Sequence, residues 1–390
     1  MNRADAPLLD ESDFIRVIRS AAWVVVSRLQ GLPPALASLE IFTDQTLAEF
    51  DFAESWPVIH QTMVAFLGLT DLPLPDLTKT VADYARHLSD NWLDGCHQII
   101  FHTSGSTGEP KPFSHSEILI KQEALETGKL FFGLKRVLVT VPLLHSYGFI
   151  FGLMLPKTKS ILVLDEPPLP TILAEVLKPG DLVVGFPLLF AKLETIKVPE
   201  VQFLSATDFC SDSAFQAIMD KGVARLTEIY GTSETGAVAV RYSPGPFQLL
   251  DHWRQADDRH LARQLPGSFE QKYALSDHLL WSDSRSFTIA GRLDDAVQVV
   301  GVNVYPNWVA SVIKLHPQVK ECAVRLMKPS EGFRLKAFIV PYGDFSEAEL
   351  RQDLTLFLRS RLNPAERPGH LTFGSQLPLT IAGKLTDWNI

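Results

Sequence analysis

The run TSGSTGEPK, residues 103–111, concentrates small polar side chains and directly follows the apolar segment Ile99-Ile100-Phe101. Gly105 and Gly108 allow the backbone to bend so that amide N–H groups can approach phosphate oxygens closely. Hydroxyl donors and one positive charge come from Thr103, Ser104, Ser106, Thr107 and Lys111. The G-x-x-x-x-G-K-[ST] spacing of a Walker loop is absent. The run therefore predicts a phosphate-binding loop of another kind, with a plain strand-to-helix turn as the alternative.

A second polar run, YGTSETG at residues 230–236, also follows a strand-like segment. Tyr230, beside a turn at Gly231, offers an aromatic face for a purine ring. Thr232 can donate a hydrogen bond to a phosphate oxygen, and the Glu234 carboxylate can hold Mg²⁺. No G-x-S-x-G elbow accompanies the run, so a serine hydrolase has little support. The two runs together predict a site for a nucleotide and its metal ion.

The elements that must position these runs alternate between strands and helices from Gln98 onward. Short β-rich segments recur, namely QIIFH, RVLVTVP, SILVLD, DLVVGF, VQFLSA and LTEIY. Helix-like stretches such as Ser116–Leu130 and Ser211–Lys221 separate several of them. This alternation predicts an α/β domain with mostly parallel sheets, in which ligands bind where loops leave the carboxyl ends of strands.

The parts of the chain before Gln98 and after Arg292 show different sequence patterns. Residues 10–29 carry apolar side chains near the i, i+3, i+4, i+7 spacing of an amphipathic helix, and Asp76 is predicted to cap a second helix. After Arg292, the strand-like runs QVVGVNV, ECAVRLM and KAFIVPY and a helix around Glu347–Leu362 suit a small α+β domain. We therefore expect a helical N-terminal part of the large domain at 1–97, its nucleotide-binding part at 98–292 and a small C-terminal domain at 295–390.

Length and composition restrict the class of protein. A chain of 390 residues exceeds what one hydrophobic core usually serves, so two or more domains are expected. The 46% hydrophobic and 21% charged content is typical of an ordinary soluble globular protein, and a net charge of -9 argues against nucleic acid as a partner. Cys96, Cys210 and Cys322 show no ligand spacing, which predicts reduced thiols and a cytoplasmic protein.

Membrane and secretion signals are not evident in the sequence. The N-terminal residues include acids and no apolar run before a small-residue cleavage site, so we expect no secretory signal. Val137–Leu155 is apolar and long, but Pro142, His145, Gly148 and Gly152 interrupt it. We interpret this stretch as a strand, a loop and the start of a helix, with no transmembrane segment.

Four runs resemble, in order, the signature motifs of the adenylate-forming superfamily, which contains acyl- and aryl-CoA synthetases, adenylation domains of peptide synthetases and luciferases. They are TSGSTGEPK, YGTSETG, GRLDDAVQVVGVNVYP and the late Gly383-Lys384 pair, and they span about residues 98–384. The resemblance implies a large α/β domain with a small mobile C-terminal domain. It also implies an enzyme that uses ATP and Mg²⁺ to activate a small carboxylic acid as its acyl-adenylate. The acyl group would then pass to the pantetheine thiol of CoA or of an acyl carrier protein.

The resemblance implies a role for each matching residue of the nucleotide site. The loop at residues 103–111 would close over the β- and γ-phosphates. Tyr230 would stack on adenine beside Gly231, Thr232 would contact the α-phosphate, and Glu234 would ligate Mg²⁺. Asp277 would bind both ribose hydroxyls, and Arg292 would reach the ribose and the phosphates.

The resemblance also implies a moving part and an acyl pocket. Lys384 would be the catalytic lysine of the small domain, which would rotate about a hinge at Asp294 between the half-reactions. His145, in the segment PLLHSYG, would line the acyl pocket or gate access of the thiol. A hydrogen-bonded core histidine is the alternative for His145. Gly301–Pro306, with the sequence GVNVYP, is similar to aryl-CoA ligases and favours an aromatic acid.

The sequence departs from the family pattern at three places, and other functions stay open. The region before the glycine-rich run is short, SATDF at 205–209 replaces a small glycine turn, and Asp387-Trp388 stand where a basic residue is common. One alternative function is an amino-acid-activating adenylation domain, for which Asp208 is the nearby acid that could meet a substrate ammonium. The other alternative is a non-catalytic module that binds a nucleotide or acyl-adenylate.

Overall fold

A computed structural model describes most of the chain, and it divides into two compact units. The described residues are 8–29, 44–50, 52–93, 98–102, 112–166, 168–206, 210–267, 269–292, 297–299, 302–328, 330–332, 334–343, 345–362, 364–379 and 385–390. The first unit comprises Met1–Ala256 and Ala262–Tyr273, and the second comprises Asp257–Leu261 and Ala274–Ile390. The predicted hinge at Asp294 lies outside the described residues, so the predicted domain bounds stay a prediction.

The N-terminal part of the first unit is helical, as predicted. Its elements are α1 (Glu11–Leu29), two 3-10 turns (Leu47–Glu49 and Ala53–Ser55), α2 (Trp56–Phe66) and α3 (Val81–Leu93). α1 buries Phe14, Ile18 and Ala21 completely, which confirms the amphipathic pattern. The α2 and α3 helices pack through Trp56 and Tyr84, whose rings meet edge to face at 5.8 Å.

The predicted cap of α3 at Asp76 is wrong. The Asp76 carboxylate accepts a hydrogen bond from the Thr78 N–H at 2.9 Å, four residues too early for this helix. Thr80 and Asp83 cap the helix instead, because the Asp83 N–H donates to the Thr80 hydroxyl at 3.1 Å and the Thr80 N–H donates to the Asp83 carboxylate at 3.2 Å. This reciprocal pair satisfies two N–H groups that the first helical turn leaves open.

The rest of the first unit contains the predicted alternation of strands and helices. In chain order the elements are β1 (Gln98–His102), β2 (Pro112–Ser116), α4 (Glu117–Gly128), β3 (Arg136–Val139), α5 (Ser146–Gly148), a π-helical segment (Phe149–Met154), α6 (Leu155–Lys159), β4 (Leu162–Asp165), α7 (Pro170–Val176), β5 (Asp181–Gly185), α8 (Pro187–Lys192), β6 (Gln202–Ser205), α9 (Asp212–Met219), β7 (Arg225–Thr232), β8 (Gly236–Arg241) and β9 (Phe247–Leu249). The stretch at 137–155 is thus strand, loop and helix, as expected. Among the described residues, each helix is too short or too polar to cross a bilayer.

The main sheet of this unit is mostly parallel, which confirms the predicted α/β class. Neighbouring strands follow the order β9-β8-β7-β6-β5-β3-β4. The pairs from β4 through β7 are parallel, whereas β8 and β9 are antiparallel additions. Because β3 has β4 on one side and β5 on the other, the chain changes direction there, and such a switch point is the usual ligand crevice of these sheets. The strand QIIFH, in contrast, pairs with β2 in a separate antiparallel sheet.

The C-terminal part of the chain is built from small sheets with helices, as the predicted α+β class requires. Its elements are β10 (Trp253–Asp257), β11 (His260–Gln264), β12 (Glu270–Ala274), β13 (Asp277–Trp281), β14 (Ser286–Arg292), β15 (Val297–Val299), β16 (Val302–Val304), α10 (Pro306–Ile313), β17 (Val319–Leu326), β18 (Leu335–Pro341), α11 (Glu347–Arg359) and β19 (His370–Phe373). Strands β10, β11 and β12, which precede the predicted small domain, form a three-stranded sheet, and β13 and β14 belong to a nine-stranded sheet. Within residues 297–390, β15 pairs with β16, and β17, β18 and β19 form one sheet. Its core contains Val309, Leu335 and Leu354, all completely buried.

Candidate active site

The Tyr230–Gly236 run forms the end of β7 and the turn into β8, and glycine is required at two of its positions. A Cβ at Gly231 would overlap the carbonyl oxygen of Gly236. Gly236 itself has a φ of 69°, and a Cβ there would overlap the Glu123 carboxylate. The two glycines therefore let the two strand ends approach each other and the helix behind them.

Hydrogen bonds between Thr232 and Thr235 close this turn. The Thr232 N–H donates to the Thr235 hydroxyl at 3.1 Å, and the Thr235 N–H donates to the Thr232 hydroxyl at 3.3 Å. The Thr235 hydroxyl donates its own proton to the Gly236 carbonyl at 2.9 Å. With that proton committed, the Thr232 hydroxyl, 3.1 Å from the Thr235 hydroxyl, is the donor between the two, and it must turn its proton away from Thr235 to reach a phosphate oxygen.

Glu234 lies within the same turn, and its carboxylate is partly exposed. Among the described side chains, no hydrogen bond or ion pair engages it. No cluster of three or more His, Cys, Asp or Glu side chains that could hold a metal is found in the described ranges. A single carboxylate fits Mg²⁺, which usually takes one or two protein carboxylates and completes its shell with phosphates and water. Glu234 therefore fits the predicted role.

His115 connects this turn to the hairpin that carries the glycine-rich run. Its Nε2 lies 2.7 Å from the Ser233 carbonyl, 118 residues away in sequence, and must donate because a carbonyl only accepts. The side chain is 3% exposed, and burial lowers the pKa of its imidazole, with the Arg263 charge acting in the same direction. His115 is therefore neutral, with its proton on Nε2.

Glu123 and Arg263 form a buried charged pair behind the turn. The Glu123 carboxylate accepts from the Ala237 N–H at 2.7 Å and lies 4.0 Å from the Arg263 guanidinium. Burial raises the pKa of Glu123 to about 7, although the Arg263 charge and the Ala237 N–H oppose the shift. Arg263, which is completely buried, donates to the Leu119 carbonyl at 2.8 Å and to the Thr235 carbonyl at 3.4 Å. The backbone of the turn is thus held by buried ionisable groups.

Sequence analysis missed His115, Glu123 and Arg263. Each lies far from the turn along the chain, with separations of 118, 114 and 28 residues for the bonds above. A histidine in a polar strand and a glutamate within a helix carry no local signal of burial. Only the paired strands and the packing of α4 bring them to the turn.

The glycine-rich run at residues 103–111 lies outside the described residues, but both strands that flank it are described. β1 and β2 pair in antiparallel register, and His102 is opposite Pro112. The two ends of the run are therefore adjacent, and the segment joins two strands of a hairpin. The expectation of a strand-to-helix turn is thus wrong for its immediate neighbours, because β2 precedes α4.

Tyr230 lies in β7 and is 8% exposed, and its ring centroid is 6.0 Å from that of Phe247. Beside it, Arg241 holds the chain where it emerges from residues 207–209, which lie outside the described residues. The Arg241 guanidinium donates to Glu228 at 2.8 Å and also to the Cys210 carbonyl. Burial raises the pKa of Glu228, opposed by Arg241. This buried pair fixes the chain at Cys210, directly after the SATDF segment.

His145 lies at the switch point of the main sheet, in the loop that follows β3. Its side chain reaches solvent and precedes α5, while the atoms packed around the imidazole lower its pKa by desolvation. The helix that it begins is held by Tyr147, whose hydroxyl lies 2.6 Å from the Leu204 carbonyl and 3.0 Å from the Gly185 carbonyl. A Cβ at Gly148 would overlap the Pro142 carbonyl, so the loop and helix need this glycine. The exposure of His145 disfavours the alternative of a core histidine.

The second unit brings Asp277 and Arg292 together. They are direct cross-strand partners in the β13–β14 hairpin, and Asp277 is 6% exposed. The side chain of Arg292 lies outside what the structure describes. Lys384 and Asp294 also lie outside the described residues, so their roles stay predictions.

Comparison with known proteins identifies the relatives of this chain. The AMP-binding enzyme C-terminal domain family matches residues 309–384. A 4-coumarate–CoA ligase of Halorhodospira halophila is 33% identical over 84% of this chain and 83% of its own length. Another, of Rhodobacter capsulatus, is 36% identical over 75% of this chain and 76% of its own length. A benzoate–CoA ligase of Thauera aromatica is 25% identical over 98% of this chain and 79% of its own length.

Solved structures share the fold. ATP-bound MatB from Rhodopseudomonas palustris has a TM-score of 0.60 at 19% identity, covering 96% of this chain and 91% of that one. The anthranilate CoA ligase AuaEII, in complex with anthranoyl-AMP, has a TM-score of 0.58 at 18% identity, covering 99% and 97%. Since the two 4-coumarate–CoA ligases align over at least three quarters of both chains, this chain belongs to the adenylate-forming acyl- and aryl-CoA ligases, which are AMP-forming acid–thiol ligases.

Proposed function

We propose that this protein joins a compact aromatic acid, of the 4-coumarate type, to CoA through an acyl-adenylate formed from ATP. The observation that carries the proposal is its similarity to three 4-coumarate–CoA ligases, which are 30% to 36% identical over 75% to 84% of this chain. The similarity to a benzoate–CoA ligase also favours an aromatic ring in the substrate. The three cysteines without ligand spacing support a cytoplasmic location.

The turn at the end of β7 is proposed to hold the nucleotide. Tyr230 and Gly231 contact adenine, and Thr232 donates to the α-phosphate. Glu234 holds Mg²⁺, which neutralises charge on the phosphates when it is bound. The support for these roles is the fixed backbone of the turn, closed by Thr235 and held by His115 and the Glu123–Arg263 pair.

The remaining nucleotide contacts are proposed from the family pattern. Asp277 binds the ribose hydroxyls, and Arg292 contacts the ribose and phosphates; their opposition in the β13–β14 hairpin supports a shared role. The loop at residues 103–111 surrounds the β- and γ-phosphates. Lys384, on a domain at 295–390 that rotates about Asp294, neutralises charge as pyrophosphate departs.

The chemistry follows from these roles without a protein nucleophile. The substrate carboxylate attacks the α-phosphorus in line, the bond to the bridging oxygen breaks, and pyrophosphate leaves. The CoA thiolate then attacks the activated carbonyl and AMP leaves. His145 lies at the switch point of the sheet and is proposed to line the acyl pocket. Its neutral form, favoured by desolvation, suits contact with an apolar ring.

Acid-dependent exchange of pyrophosphate into ATP tests the first step. We expect hydroxycinnamates and benzoates to stimulate exchange more than fatty acids or amino acids. Masses of the products formed with CoA or with a pantetheinylated carrier protein then identify the acceptor, and we expect acyl-CoA. Stimulation by amino acids alone would favour an amino-acid-activating domain. Nucleotide binding without exchange for any acid would favour the non-catalytic module and end the proposal.

A further inference from the structure

The chain on both sides of residues 380–384 is tied to the second unit. Leu379 and Leu385 form an isolated antiparallel bridge. The Thr386 N–H donates to the Pro378 carbonyl at 2.7 Å. Arg325, on β17, donates to the Leu385 carbonyl at 2.7 Å. The two ends of the segment that contains Lys384 are thus held next to each other.

Lys336, on β18, is a completely buried cation beneath this C-terminal tail. Its ammonium donates to the Trp388 carbonyl at 2.6 Å and lies 2.7 Å from Glu331 and 3.0 Å from Asp387. A buried ammonium is unfavourable unless it is paired and hydrogen-bonded, and here three oxygen acceptors match its three N–H donors. The Trp388 ring also lies 5.3 Å from the ammonium, within the range of a cation–π contact. Because each N–H donor of Lys336 has an acceptor, Lys336 and its partners form an anchor for the C-terminal tail.

Asp387 connects the tail to two lysines. Lys328 reaches it from the surface at 2.6 Å, and Lys336 reaches it from the interior at 3.0 Å. The hydrogen bonds from Lys328 and Lys336 hold the pKa of Asp387 well below its usual value. The pKa of Glu331 is also lowered, chiefly by Lys336. The two lysines, Lys328 and Lys336, therefore balance the charges of Glu331 and Asp387. The lowered pKa keeps Asp387 ionised near neutral pH.

We infer that Lys336 and Asp387 are positioning residues for Lys384: they fix the backbone just beyond it, so that its side chain is presented in the adenylation step. This inference rests on the proposed role of Lys384 in that step. The family match covers residues 309–384, so Lys336 lies within it and Asp387 lies just beyond it. A displacement of about 1 Å at a catalytic group can cost roughly 100-fold in rate, which is why a backbone anchor close to Lys384 matters.

Separate measurement of the two half-reactions tests the inference. Adenylation is followed by acid-dependent pyrophosphate exchange, and thioester formation is followed from pre-formed acyl-adenylate and CoA. For Lys336→Met and Asp387→Ala, we expect exchange to fall by roughly 100-fold. Thioester formation should stay within about twofold of the unmodified protein, because Lys384 acts only in the first step. Equal loss in both half-reactions would show a merely structural role and overturn the inference.

Two further variants keep the result interpretable. Lys320→Gln changes an exposed lysine on β17, the strand beside that of Lys336, and should leave both half-reactions unchanged. If Lys336→Met fails to fold, Asp387→Ala carries the test, because the Asp387 side chain is 29% exposed and Lys336 keeps Glu331 and the Trp388 carbonyl. Lys384→Ala separates the two hypotheses: full exchange in that variant removes the proposed role of Lys384. Loss in Lys384→Ala with normal exchange in Asp387→Ala overturns only the positioning role.

Discussion

The turn at residues 230–237 and the tail at residues 379–388 are both proposed to serve the phosphates of ATP, yet they are supported differently. The turn is held from behind along its whole length, by the buried side chains of His115, Glu123 and Arg263. Its supports come from elements more than twenty residues away along the chain, and two glycines make the close packing possible.

The tail is held at its ends. The Leu379–Leu385 bridge closes the base of the segment that contains Lys384, and Lys336 fixes the chain beyond it. A group that binds a nucleotide gains from donors fixed in advance, since they need no reorganisation during the reaction. A lysine that must enter and leave between half-reactions needs a fixed base rather than support along its length. The difference is consistent with the proposal that the turn stays in place while Lys384 moves.

Arg263→Met should give the largest effect on stability, because it leaves Glu123 buried without its cation. Breaking a buried pair by removing one partner typically costs about 3–5 kcal/mol. Chemical denaturation of the variant measures this loss. The double variant Glu123→Gln/Arg263→Met should recover part of it, since neither charge then remains. If the loss of stability in the double variant equalled the sum of the losses in the two single variants, Glu123 and Arg263 would not support the turn as a pair. That result would weaken the comparison with the tail.

Gly231→Ala should lower adenylation by roughly 100-fold, because the added methyl pushes the Gly236 carbonyl away and displaces Thr232 and Glu234. Pyrophosphate exchange measures the effect. Gly128→Ala, in α4, is the matched control, because its added methyl would meet only ordinary contacts at 3.5 Å and beyond. Normal pyrophosphate exchange in Gly231→Ala would mean that adenylation does not depend on the present geometry of the turn.

The pH dependence of stability should reveal Glu123. Its pKa in the folded protein, about 7, is higher than the ordinary 4.5, so the folded state binds a proton more tightly than the unfolded state. The stabilisation from this proton is complete below about pH 4.5 and is lost as the pH rises through about 7. The stability of Glu123→Gln, which does not titrate, should therefore improve relative to that of the unmodified protein as the pH rises through this window, by an amount on the order of 1–3 kcal/mol. Parallel stability curves would show that Glu123 does not titrate there.

Arg325→Met should have the smallest effect on stability, about 1 kcal/mol, because it removes one hydrogen bond to the Leu385 carbonyl and leaves no buried charge unpaired. Denaturation compares it directly with Arg263→Met, a change of the same type at the turn. Pyrophosphate exchange should also fall, and by more than the small loss of stability alone would cause, since the bond holds the base of the Lys384 segment. A loss of stability as large as that of Arg263→Met would erase the distinction between the two regions.

Much of the fold could be predicted from local patterns. The apolar periodicity at residues 10–29 and the runs RVLVTVP, DLVVGF and VQFLSA corresponded to a helix and to buried strands, because each pattern contains its own burial signal. The two nucleotide-site runs also stood out, since glycine next to hydroxyl residues is a local feature. The opposition of Asp277 and Arg292 was not predicted, because it depends on the pairing of β13 with β14.

What could not be predicted depends on contacts between distant segments. The polar strand PFSHS has no apolar alternation, so neither β2 nor the position of His115 was foreseen. The cap of α3 was placed at Asp76 because aspartate is a good cap, whereas the reciprocal Thr80–Asp83 pair stands closer to the first helical residue. Buried ionic supports such as Glu123 with Arg263 look like surface residues in sequence. Their partners become visible only when the chain is folded.

Tyr147 has a consequence for how an acid could be recognised. Its single phenol proton lies between the main-chain oxygens at the ends of β5 and β6, and the ring is buried under the loop that carries His145. One proton thus ties the two strand ends together without using up the acceptor capacity of either carbonyl. In the proposed acyl pocket at this edge, the side chains are the groups that can be exchanged without loosening this link. Exchanging those side chains, with Tyr147 kept, is the direct route to a changed substrate range.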